Sequence, residues 1–85
     1  MGQEDNSQRT YLRHKLSDAS IDRDADPMIT YVEVEQEESG YYLFRCSSPG
    51  HVVWDTWHET LDDALQAAEE SWGVTRDAWT PFSPT

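Results

Sequence analysis

Residues 29–57 read ITYVEVEQEESGYYLFRCSSPGHVVWDTW, and this stretch decides the fold. Its first eight residues alternate: Val32 and Val34 point one way, and Tyr31, Glu33 and Glu35 the other. A period of two is that of a half-buried strand. Glu37-Glu38-Ser39-Gly40 follows as a turn. Residues 41–46 are apolar and aromatic on both sides, and residues 51–57 are β-branched and aromatic, so both predict strands. Between them, Pro49 presets φ for the second position of a type II turn and Gly50 suits the third. The three strands form an antiparallel meander.

Beyond the meander the period changes. Leu61, Ala64, Leu65, Ala68 and Trp72 recur at helical spacing. Thr60 is the expected N-cap, Asp62 and Asp63 sit where the helix dipole favours acids, and Gly73 stops the helix. The fold class is therefore α+β: a three-stranded antiparallel sheet followed by one helix packed on one face. Residues 77–82 are expected as a short fourth strand or an extended tail, anchored by Trp79 and confined to an edge by Pro81. Residues 28–85 make a single small domain. Residues 1–27, polar and of mixed charge, read as a flexible tail in which Tyr11, Leu12 and Leu16 line at most a turn or two of helix.

Pairing 36 with 41 and 48 with 51 aligns 32, 45 and 54 across the sheet, and likewise 34, 43 and 56. One face then holds Val32, Val34, Tyr41, Leu43, Val52 and Trp54, and should meet the helix. The other holds Tyr31, Tyr42, Phe44, Cys46, Val53 and Trp57 among Glu33, Glu35 and Asp55. A single helix covers only one side of a sheet. The aromatic and acidic face therefore stands in solvent, under the N-terminal segment, or against another chain.

Seventeen acids against six bases give a net charge of −11. That field repels phosphate backbones and anionic lipid, so neither direct nucleic-acid binding nor membrane association is expected. It favours a basic protein partner, or serves only solubility as a solvated acidic surface. Glu69 and Glu70 fall in the last helical turn, where the dipole disfavours acids, and Arg76 is the nearby base. The single cysteine, Cys46, forms no intramolecular disulfide, which fits a reducing compartment, and the N-terminus lacks an apolar leader. A cytoplasmic protein is expected.

Candidate chemistry is sparse. His58-Glu59-x-x-Asp62 has half of a zinc-protease motif, with Asp where the second histidine belongs. His51 and His58 stand at opposite ends of one strand, roughly 23 Å apart, too far to share a metal. Asp55 lies three residues before His58, a spacing in which a carboxylate can orient an imidazole. The glycines are scattered turn residues and form no phosphate loop. No catalytic residue, metal ligand or cofactor is assigned.

The run Ser39-Gly40-Tyr41-Tyr42-Leu43, a third strand, and then Thr60-Leu61-Asp62-Asp63-Ala64-Leu65 resembles the HicB-type antitoxin domain over residues 29–75. The resemblance implies a partial RNase H-like fold without nuclease activity, binding a small basic toxin. The expected function is a non-catalytic, acidic protein-binding module of antitoxin, immunity or regulator type, with Tyr31, Glu33, Glu35, Tyr42, Phe44, Asp55 and Trp57 as contact residues. Two alternatives stand beside it: a small-molecule-binding or hydrolytic domain using His58 and Asp55, and a structural homodimer.

Overall fold

The structure is a computed structural model that describes residues 9–24 and 27–83. Five strands form one antiparallel sheet: β1 (Tyr11–Lys15), β2 (Tyr31–Gln36), β3 (Tyr41–Ser48), β4 (His51–His58) and β5 (Thr80–Pro81). Their spatial order is β4-β3-β2-β1-β5. Among the described residues one helix, α1 (Leu61–Trp72), crosses the sheet between β4 and β5, and a 3-10 turn at Arg76–Ala78 precedes β5. The α+β class and the antiparallel meander agree with the sequence reading, but the sheet has five strands instead of three or four.

The added strand comes from the segment expected to be a tail. Leu12 pairs with Val34 and His14 with Val32, so Tyr11–Lys15 lies along the whole of β2. Period two explains it: Leu12, His14 and Leu16 face the helix side, while Tyr11, Arg13 and Lys15 face away. Leu16 is buried in the core, and Leu12 and Ile21 pack against it. The connection to β2 is held by an antiparallel bridge between Asp22 and Ile29 and by Ser20 Oγ, which donates to the Trp72 carbonyl at 3.0 Å. Residues 1–8 of the expected tail lie outside the described residues. β5 is the short edge strand anticipated near Pro81, and its neighbour is β1.

The core lies between the sheet and α1. It contains Val32, Val34 and Leu43 from the sheet, Ala64, Leu65 and Ala68 from the helix, and Leu16, Ile29, Val74 and Trp79 from the connections. The helix ends follow local chemistry. Asp63 N donates to Thr60 Oγ1 at 3.1 Å, and Gly73 takes φ 72° with its N–H on the Glu69 carbonyl. Arg76 does not turn to the helix C-terminus: it pairs with Asp62 at the opposite end, at 2.7 Å. Glu70 instead accepts from Gln66 at 3.0 Å.

Both hairpins keep the expected registers, Gln36 opposite Tyr41 and Ser48 opposite His51. Gly50 has φ 77°, the value a type II turn requires after proline. Gly40 is needed for a different reason: a β-carbon there would meet the Trp57 ring and the His58 carbonyl at 2.5 Å. Within the second hairpin the ladder slips and recovers: Arg45 faces Trp54 but Cys46 faces Val52, leaving Val53 as an extra residue on β4. The slip exchanges two side chains. Val52 turns to the face away from the helix, and Val53 lies with Arg45, Trp54 and Ile29 on the helix side, the reverse of the simple alternation. Trp54 also differs from expectation. It shares the helix-side face but stays 64% exposed, because β4 is an edge strand that reaches past the helix.

Candidate functional site

Parity and pairing put all seven expected contact residues on the face that α1 leaves uncovered. They form rows across the sheet. Tyr11, Glu35, Tyr42 and Trp57 make one row, and Arg13, Glu33, Phe44 and Asp55 the next. Tyr31 lies in a third, between Lys15 and Cys46. Tyr42 and Phe44 stack with centroids 5.7 Å apart and planes 7° from parallel. Trp57 is about half exposed and Asp55 is exposed.

A trough of ≈ 690 Å³ occupies this face. Glu33, Glu35 and Phe44 form its floor. Pro49, Gly50 and Val52 make one bank, and Arg13 and Phe82 the other. Phe82 is held over the Arg13 guanidinium at 4.1 Å and edge-on to Tyr11 at 5.9 Å. Arg13, Tyr11, Phe82 and Val52 were not anticipated. The signal for the first two was the alternation of residues 11–16; for Val52 it was hidden by the bulge, and for Phe82 by the absent β1.

The three sheet acids differ in role. Glu33 is 5% exposed, and its Oε2 accepts from Arg13 Nε at 2.8 Å and from Gly50 N at 3.0 Å. The flipped central peptide of the type II turn aims that N–H inward. Glu33 therefore ties β1, β2 and the β3–β4 turn together, and its charge is already matched inside the protein. Glu35 is different. Burial, then a hydrogen bond to Glu37 and repulsion from it, push its carboxyl up to about 7, with Arg9 opposing. Asp55 has no such enclosure. Glu35 in the trough and Asp55 beside it, opposite Phe44, are thus the acids open to a cation.

Cys46 is fully buried under this face, and burial together with Glu33 pushes its thiol up to about 12. It stays a neutral, packed side chain at neutral pH.

His58 does not meet Asp55. Residues three apart on a strand point to opposite faces, and His58 lies on the helix side with Thr56. There Thr56 Oγ1 and His58 Nε2 are 2.9 Å apart, and His58 Nδ1 is 2.9 Å from Asp63 Oδ2. Arg45 Nη1 donates to Thr56 Oγ1 at 3.5 Å, while its guanidinium lies 5.2 Å from the Trp54 ring and 5.0 Å from the Trp72 ring. Burial lowers the Arg45 pKa, with Asp55 opposing. The chain of contacts joins the end of β4 to the first turn of α1.

A second depression, ≈ 280 Å³, lies on the helix side among Asp22, Asp24, Ile29, Arg45, Val53 and Trp54. Neither depression is lined by Thr56 or His58. Among the described residues no three His, Cys, Asp or Glu side chains converge as metal ligands would, and no helix is long and apolar enough to cross a membrane. No family model matches the chain, and neither the curated proteins nor the solved structures contain a match to it.

Proposed function

We propose that this protein is a non-catalytic binding module whose trough receives a basic segment of a protein partner, as an antitoxin, immunity protein or small regulator would. The observation that carries the reading is the trough itself: Glu35 and Phe44 lie on its floor and Phe82 on its bank, with Asp55, Tyr42 and Trp57 beside it on the sheet face that the helix leaves open among the described residues. A carboxylate beside aromatic faces suits a lysine or arginine head, pairing charge with ring quadrupole. The net charge of −11 draws such a partner in. Phe44 and Trp57 supply the buried area typical of interface anchors.

The test is titration with arginine- and lysine-rich peptides, using matched acidic peptides as controls. Basic peptides bind, and salt weakens them. Glu35→Lys and Phe44→Ala each weaken binding about tenfold or more, with the melting transition retained. Equal binding of acidic peptides, or binding untouched by both substitutions, overturns the reading.

A second reading rests on the Thr56–His58–Asp63 contacts, whose connectivity is that of hydroxyl nucleophile, base and orienting acid. Asp63 then takes the place expected of Asp55. Hydrolysis of an activated ester that is lost in His58→Ala would carry this reading; no turnover leaves the contacts as a tie between β4 and α1.

A further inference from the structure

We infer that two copies of this chain join through the outer edge of β4, with residues Trp54–His58 of one copy pairing antiparallel with the same residues of the other about a two-fold axis at Thr56.

The two sheet edges are treated differently. β5 is two residues long and contains Pro81, a short and blocked edge of the kind that stops further pairing. β4 is eight residues long and contains no Lys, Arg or Pro. Among the described residues nothing pairs with its outer side, because β4 ends the sheet there. Exposed apolar bulk gathers on the same strand: Val52, Val53, Trp54 and Trp57 are 37–64% exposed, and Met28 completes the set of exposed large apolar side chains among the described residues. A strand laid along β4 covers side chains on both faces at once.

Charge selects the occupant. A molecule of net charge −11 repels its own copy almost everywhere, yet β4 contains a single acid, Asp55. A basic partner is drawn to the acidic trough, whereas this edge offers a second copy a place with little repulsion. The ladder supplies the register. The bulge at Val53 interrupts the edge, and from Trp54 to His58 the strand is regular. A two-fold normal to the sheet requires facing residues to share a face. Centring on Thr56 meets that rule and sets Thr56 against Thr56, Asp55 against Trp57, and Trp54 against His58. No acid faces an acid, and a threonine pair is a favourable cross-strand neighbour. The strand is self-complementary, as an isologous interface demands. The two troughs then open on the same side of one ten-stranded sheet.

Sedimentation of the full chain across concentration tests association, and cysteine cross-linking tests the register. The wild type sediments as a dimer at about 100 µM and dissociates on dilution, more readily at low salt. Thr56→Cys forms a disulfide-linked dimer under mild oxidation, because facing β-carbons lie about 5 Å apart. Val53→Cys does not, because its two copies would lie roughly 20 Å apart along the strands. Fully buried Cys46 stays out of the reaction. Circular dichroism confirms that each variant is folded. A wild type that stays monomeric to about 1 mM overturns the inference, as does a dimer that cross-links through position 53 and not through position 56. If Thr56→Cys does not fold, the same two outcomes are read from Trp57→Cys, which links to an introduced Asp55→Cys on a mixed partner in this register and to no copy of itself.

Discussion

At the scale of single residues, Glu35 has the most to say. The carboxyl ordinarily ionises near 4.5, and here burial and its neighbour Glu37 hold it at about 7. Between those values the folded chain binds more protons than the unfolded chain. The stabilisation from the raised value is therefore complete below about 4.5 and is lost as pH rises through 7. Glu35→Gln, which cannot ionise, should be more stable than the wild type at pH 8 by about 1 kcal/mol, a figure reduced for solvent screening. The gap should close as pH falls toward 4.5. Urea unfolding at the two pH values checks this, and equal stability at pH 8 would refute it. A basic side chain docked beside Glu35 favours its ionised form, so peptide binding should also tighten from pH 6 to pH 8.

At the scale of elements, what decides the architecture is how β1 attaches. Arg13 meets Glu33, a nearly buried acid, and stacks beneath Phe82. Removing the guanidinium leaves a buried carboxylate with only the Gly50 N–H. Arg13→Leu should therefore cost about 3 kcal/mol, and Arg13→Leu with Glu33→Gln should recover much of it. Thermal melts of the two variants make the comparison; no recovery in the double variant would mean that the loss comes from packing against Phe82. The meander, its registers and both helix caps were legible because each rests on local signals: alternation in 31–36, Pro49-Gly50, Thr60 and Gly73. β1 was written in the same alphabet, as Leu12-x-His14-x-Leu16, but a polar composition around it outweighed the alternation. The exchange of Val52 and Val53 was not legible, since a bulge breaks the parity on which facing assignments depend. The separation of Asp55 from His58 was legible, because residues three apart on a strand cannot share a side.

At the scale of the whole molecule, the described residues roof the sheet on one side and leave the other open, and the expected contact residues all fall on the open side. That placement followed from parity alone. The trough did not, because its banks come from residues distant in sequence: Pro49 and Gly50 from a hairpin tip, Arg13 from the first strand, and Phe82 from beyond the last. If two copies share β4, two such troughs sit side by side, and a partner with two basic stretches gains avidity from a single dimer. The bank formed by Phe82 hangs from a strand of only two residues. Such a strip frays easily, so the amides of Thr80 and Phe82 should exchange with solvent faster than those of the central ladder. A guest wedged against Phe82 would clamp that fringe shut, and its arrival would be recorded as slowed deuterium uptake at Thr80 and Phe82.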